Sequence, residues 1–266
     1  MDNFLLIFAI CLVLGSLVGF LAGLLGIGGG LIIVPALLYI LPWVGITSSQ
    51  LTHVAIATSL STIILTSLSS VTAHHKRGNI PWALFKPILP GIIIGALSAG
   101  FVSELIPSDQ LQQAFAVFVV LMAIQMAFPF KSKGEGQLPA NGVLFIVSVM
   151  IALIAGMMGI GGGVLLVPFL SFCGLQMKQA VGFSSATGFL IAIAGTTGYV
   201  VAGFDAPDLP SGTLGYIYLP ALFGIIISSM IFAPLGVKAA STLPTSKLKK
   251  AFAGLLFIVG LKMIFS

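Results

Sequence analysis

The sequence predicts an all-α, polytopic membrane protein built as two inverted repeats, each a glycine-tipped helical hairpin followed by three spanning helices. Three observations predict it. Of 266 residues, 58% are hydrophobic and only 6% are charged, against about 25% charged in a soluble domain. Such a chain cannot cover itself with water-facing groups, so its solvent is mostly lipid. The apolar runs are continuous rather than alternating, which selects helices over a membrane barrel. Finally, the sequence repeats itself. Gly23 to Pro35 reads GLLGIGGGLIIVP and Gly156 to Pro168 reads GMMGIGGGVLLVP, aligned without a gap. PSDQLQQAFA from Pro107 is matched by PTSKLKKAFA from Pro244. The order of features is the same in both halves, so the repeats are expected over residues 1–133 and 140–266.

Each half holds five apolar segments: Phe4–Leu25, Leu31–Leu41, Leu51–Ala73, Pro81–Ser103 and Leu111–Phe130, then Val143–Met158, Val164–Phe172, Val181–Val201, Leu214–Leu235 and a last run to Phe265. The second segment of each half is short. Eleven helical residues rise about 16 Å, roughly half of a 30 Å hydrocarbon core. The first two segments are therefore expected to dip in and return, with the glycine run at the tip. Pro35 and Pro168 lie a few residues into the short helices and are expected to break them locally. Met1-Asp2-Asn3 lacks the basic start of a signal peptide, and the first segment has an internal counterpart, so it is expected to belong to the fold. Cys11 and Cys173 sit far apart in apolar stretches, as small core residues rather than a metal or redox pair.

Charge gives the orientation. If each hairpin returns to its starting side, the loops 74–79, 131–137, 173–179 and 236–250 share one face. They hold Lys76, Arg77, Lys131, Lys133, Lys178, Lys238, Lys247, Lys249 and Lys250, nine of the eleven basic residues. The other face carries both termini and Asp2, Glu104, Asp109, Asp205 and Asp208, five of the six acids. The basic face is then cytoplasmic. Counting each hairpin as one broken span scatters the basic loops over both faces. A hairpin plus three spans ends opposite its start, so the second repeat is inverted. The net charge of +5 is explained by these loops, and nucleic acid is not an expected partner.

The candidate site lies at the glycine runs. Gly28, Gly29 and Gly30, and likewise Gly161, Gly162 and Gly163, precede a short helix. Glycine leaves backbone N–H groups unshielded, and a helix N-terminus offers free donors and partial positive charge. Two such ends approaching from opposite sides would hold an anion without a buried Lys or Arg. The competing reading is that small residues merely allow close helix packing. The third segment of each half adds hydroxyls, of which Thr58, Ser59, Ser184 and Ser185 are the candidates for further substrate contacts. His53 is expected near an outer helix end, His74 and His75 at a cytoplasmic end, and Lys86 just inside a span from which it can snorkel. The sequence does not decide whether these four take part in transport. No cofactor, metal site, catalytic triad or nucleotide loop is indicated, since GIGGG lacks the Lys-Ser/Thr tail of a phosphate loop.

The paired glycine motifs, with His74-His75-Lys76-Arg77-Gly78-Asn79-Ile80, resemble the TauE/SafE family of sulfite exporters over nearly the whole chain. The resemblance implies a bacterial inner-membrane protein carrying a small sulfur-containing anion: sulfite, a sulfonate such as sulfoacetate, or a related organosulfur compound. The expected function is a secondary transporter working by alternating access, with an anion channel on the same helix ends as the alternative and an intramembrane enzyme disfavoured. The expected partners are the substrate anion and the lipid bilayer. A coupling proton or cation and a homo-oligomer are left open, as are the identity of the anion and the direction of transport.

Overall fold

The chain folds into five helices per half because each long apolar run can satisfy its backbone groups only within itself. The computed structural model describes residues 2–25, 29–128, 137–240 and 245–265. In the first half, α1 spans Asp2–Leu25, α2 Gly30–Trp43, α3 Leu51–Lys76, α4 Phe85–Glu104 (after a 3-10 turn, Trp82–Leu84) and α5 Ser108–Ala127. In the second, α6 spans Asn141–Met157, α7 Gly163–Phe172, α8 Met177–Ala202, α9 Leu219–Ala240 and α10 Thr245–Ile264. Among the described residues, six helices are long and apolar enough to cross a membrane. Large apolar side chains such as Val13, Leu121, Ile146, Ile231 and Ile258 face outward, as lipid-facing residues must. Gly26, Ile27 and Gly28 of the first glycine run, and Lys131 and Lys133, lie outside the described residues.

The helices of the two halves interleave. α1 packs along α9 and α4 along α6, the same pairing seen from each repeat, while α3 packs on α8 and α5 on α10. Small residues set these contacts. Gly15 and Gly19, four apart, lie on the backbone of α9 at Ile225 and Ser229. Gly91 and Gly95 do the same on α6 at Phe145 and Val149. In lipid, where apolar side chains gain nothing by leaving the solvent, such close backbone approach supplies dispersion contacts that hold helices together.

Direction follows from the register. Ser61 pairs with Thr196 at 3.4 Å and Ser70 with Ser185 at 3.0 Å, so α3 and α8 run antiparallel. These are corresponding helices of the two repeats, so the second repeat is inverted relative to the first. Gly195 lies against Ala96 and Gly198 against Leu97 and Gly100, which makes α4 and α8 parallel, as inversion requires. Gly29 sits against Val18, so α2 turns back along α1. Lys262 at the end of α10 lies 4.6 Å over the ring of Tyr39 in α2.

The arm lengths follow the sequence segments: α1 has 24 residues, about 36 Å, while α2 has 14 and α7 only 10. The structure corrects two expectations. Pro35 and Pro168 do not break their helices. Each is the sixth residue of its helix, so it deletes one bond where the ladder has barely begun. Finally, α9 starts at Leu219 rather than Leu214. Residues Thr213–Leu214 and Ile217–Tyr218 form a small antiparallel hairpin, with Thr213 opposite Tyr218. Gly212 and Gly215 adopt positive φ there, and the β-branched and aromatic residues around them favour strand.

The inverted arrangement brings the end of α3 and the start of α8 to one face. Cysteines introduced at His75 and Gln176 are expected to react with an impermeant thiol reagent from the same side of sealed vesicles. Cysteines at Gln110 and Ser211 react only from the other side. A direct repeat would place His75 and Gln176 on opposite sides.

Candidate functional site

The two hairpin tips meet in the middle of the molecule, against the centres of α3 and α8. Gly30, the first residue of α2, packs so tightly on the second tip that a Cβ there would overlap the Gly159 carbonyl oxygen and press on Ile160. Gly159, at φ +65°, lies against Ile56 of α3. Its carbonyl accepts a hydrogen bond from the Ser59 hydroxyl at 2.8 Å. Gly161 lies against Ile63 of α3 and Gly188 of α8. A void of only about 10 Å³ remains beside the first tip, lined by Gly29, Thr62, Thr66 and Ser229 among others, room for about one water.

The glycines divide into two kinds. Gly29, in ordinary right-handed conformation, meets the side chains of Val18 and Ile33, and Gly30 meets backbone. At these positions the absence of a side chain serves packing. Gly162 caps α7 at φ +69°, a left-handed conformation that glycine adopts at little cost. Gly163 opens α7, and a Cβ there would meet nothing within 4 Å. In the first turn of α7 the Leu165 and Leu166 amides bind the Gly162 carbonyl, which leaves those of Gly163 and Val164 ahead of the ladder, with no carbonyl four residues back to bind. The open, donor-rich end is therefore that of the second repeat. The α7 helix is also the less enclosed of the pair: α2 packs on α1, α3 and α10, whereas α7 packs on α8 and α6.

The four hydroxyl candidates do not converge on one point. Ser59 holds the second tip, as described. Thr58 accepts a hydrogen bond from the Tyr218 N–H at 2.9 Å, pinning the small β-hairpin to α3. Ser185 accepts from the Ser70 hydroxyl and donates to the Val181 carbonyl. Ser70 lies about 16 Å along α3 from Ser59, so the pair 184–185 sits nearer the end carrying Lys76 and Arg77. Ser184 is buried with no hydrogen-bond partner for its hydroxyl.

His53 is buried rather than interfacial. Its Nε2 donates to the Ser103 carbonyl at 2.8 Å, and its ring stacks on Tyr216 at 5.2 Å. Tyr216, Ile217 and Tyr218 are all buried, so the β-hairpin plugs the end of the α3–α8 seam beyond the tips. A neighbouring latch joins the two repeats. The Ser48 hydroxyl donates to the Asp208 carbonyl and the Ser49 N–H to its carboxylate, both at 2.7 Å. The Ser49 N–H holds the Asp208 carboxyl below its ordinary range, so the carboxylate bond of the latch is charge-assisted at neutral pH and weakens as pH falls through that lowered value, while the Ser48 bond to the backbone carbonyl does not titrate. Sequence reading missed this plug. The cue was Gly212-Thr213-Leu214-Gly215-Tyr216-Ile217-Tyr218, two glycines among strand formers at the head of an apolar run. His75 is exposed beside Trp82, and Lys86 is exposed near the start of α4. Among the described residues, no group of His, Cys, Asp and Glu could hold a metal ion.

Substitutions separate the two kinds of glycine. Gly30→Ala forces backbone against backbone and is expected to cost about 1–3 kcal/mol, read as a lowered unfolding temperature in detergent. Gly162→Ala costs roughly 1–2 kcal/mol through its left-handed φ. Gly163→Ala should leave stability unchanged or slightly raised.

The sequence profile of the sulfite exporter TauE/SafE family matches residues 11–263. A probable membrane transporter protein of Haemophilus influenzae is 40% identical over 258 residues, covering 96% of this chain and 97% of its own. One of Methanocaldococcus jannaschii is 28% identical over 267 residues, covering 98% and 97%. The probable membrane transporter protein YunE of Bacillus subtilis is 28% identical over 221 residues, covering 74% and 79%. No solved structure matches the chain. With its inverted hairpin repeats and a family match over nearly its whole length, the chain is a multi-pass membrane transporter, not an enzyme, and belongs to the sulfite exporter TauE/SafE family.

Proposed function

We propose that this transporter is a secondary carrier of a small sulfur-containing anion, sulfite or a sulfonate, bound where the two hairpin tips meet and moved by alternating access. The observation that carries the reading is the junction itself. The start of α7 opens at Gly163, where a Cβ would meet nothing, beside Gly162 (packed on Ile191), a second tip and two hydroxyl-rich helices. Backbone N–H groups at a helix start favour an oxyanion, and their partial charge falls off within a turn. The substrate-binding residues are then Gly161, Gly162 and Gly163, with Gly29 and Gly30 forming the opposing wall and Ser184, whose hydroxyl is unpaired, the nearest free side-chain donor on the seam. Ser59 and Thr58 act by holding the tip and the plug, and Ser185 by bridging α3 to α8. Gly28 keeps the role its sequence position suggests.

In this reading the basic end is cytoplasmic and both termini are not. The β-hairpin plug then lies on the outer side. An anion channel on the same helix ends is the other reading. A pore needs a continuous passage, and the outer half of the seam is filled by Tyr216, Ile217 and Tyr218, which favours the carrier.

The deciding experiment is flux into proteoliposomes with labelled sulfite and labelled sulfonates. The expected result is saturable uptake that accelerates when unlabelled substrate is loaded on the far side. Uptake without saturation or acceleration points to a pore, and no flux of any small oxyanion contradicts the reading.

A further inference from the structure

We propose that a recess between the end of α3 and the start of α8 is a second anion site, an entry vestibule that captures the substrate oxyanion before it reaches the hairpin tips. This inference rests on the anion-carrier reading and adds a site to it. The recess has a volume of about 490 Å³ and is lined by His74, Arg77, Asn79, Met177, Lys178 and Val181. Its two permanent cations come from opposite repeats, Arg77 just past α3 and Lys178 in the first turn of α8. Described acidic side chains are found only near the other end of the molecule, at 104, 109, 205 and 208, so nothing described there neutralises them. Their fields add inside one concave surface, which raises local anion concentration.

The walls are built rather than accidental. The loop after α3 is pressed onto α8, where a Cβ at Gly182 would meet the Asn79 carbonyl oxygen at 2.6 Å. The Asn79 amide Nδ2 lies 3.3 Å from His74 Nδ1. An amide nitrogen only donates, so Nδ1 accepts and the neutral ring keeps its hydrogen on Nε2, a further donor on the recess wall. Other basic groups of the same end are placed differently. His75 is turned to Trp82, and neither Lys76 nor Lys86 lines the recess. A bias that served only topology would not need to sort its charges in this way.

The recess also leads somewhere. One turn above His74 and Val181 stands the Ser70–Ser185 pair, next to the unpaired hydroxyl of Ser184. From Val181 to Gly188, which touches the tip residue Gly161, is about 10 Å along α8. Lys178 is thus ten residues, about 15 Å or nearly three turns, along α8 from the residue that touches the second tip. Exposed cations bind an anion weakly and exchange it fast, as an entry site requires.

The test compares R77Q/K178Q with K76Q/K86Q, which removes the same charge from the same end but outside the recess. Labelled sulfite is the probe. Two readouts are taken: equilibrium binding to the purified protein, and sided flux in proteoliposomes of defined orientation. In R77Q/K178Q, KM from the basic face should rise by about tenfold and lose its dependence on ionic strength. KM from the opposite face and the maximal flux should stay unchanged, and K76Q/K86Q should behave as wild type. Weakened binding in R77Q/K178Q alone supports the vestibule even if wild-type protein transports no sulfite, a result that would count against the carrier reading. Equal KM and equal binding in both double variants overturn the vestibule and leave the basic end a topological signal only.

Discussion

A helix that starts in the middle of a membrane protein leaves backbone N–H and C=O groups where lipid cannot bond them, and the fold is organised around that constraint. Each tip needs polar or closely packed protein around it, and that protein comes from both repeats. Gly30 is therefore pressed on Gly159, the Ser59 hydroxyl caps the Gly159 carbonyl, and Gly161 lies against Gly188. The inversion of the repeats follows from the same need. Two hairpins entering from opposite faces meet tip to tip, whereas two entering from one face would leave both tips facing the other leaflet.

The interleaving of the halves serves this junction. The α1 helix lies on α9 and α6 on α4, so neither hairpin is braced mainly by its own repeat. The contacts are made through glycines four apart, which bring backbones close and leave little freedom to slide. The symmetry is nevertheless broken at the two ends of the α3–α8 seam. One end is plugged by the β-hairpin on Thr58 and His53, with the Ser49–Asp208 latch beside it. The other holds the recess of about 490 Å³. A seam sealed at one end and indented at the other fits the proposed alternating-access carrier, in which the polar contacts of the plug would be released when the seam opens at that end.

Much of this was legible in the sequence. The duplicated GIGGG motif marks both tips, the short second segments mark the hairpins, and the distribution of Lys and Arg gives the inversion, because each of these is a local pattern with a direct physical cause. The β-hairpin was hidden because Tyr216, Ile217 and Tyr218 read equally well as the start of a membrane helix. Nor could the sequence separate Gly29 and Gly30, which meet Val18 and the Gly159 carbonyl, from Gly163, which meets nothing. That difference belongs to tertiary packing, and it makes the two glycine runs unequal despite their near-identical sequences.

The central claim, that the start of α7 holds the anion, is tested most directly at Gly163. Its φ is not in the left-handed region and no atom lies within 4 Å of a Cβ built there, so Gly163→Val fills the open space without straining the fold. The measurement is equilibrium binding of labelled sulfite or a labelled sulfonate to the purified protein, alongside its unfolding temperature. The account predicts an unchanged unfolding temperature and an affinity reduced by roughly tenfold to a hundredfold, the equivalent of one lost charge-assisted hydrogen bond. Wild-type affinity in a well-folded Gly163→Val protein would contradict it and leave the glycine runs as packing devices.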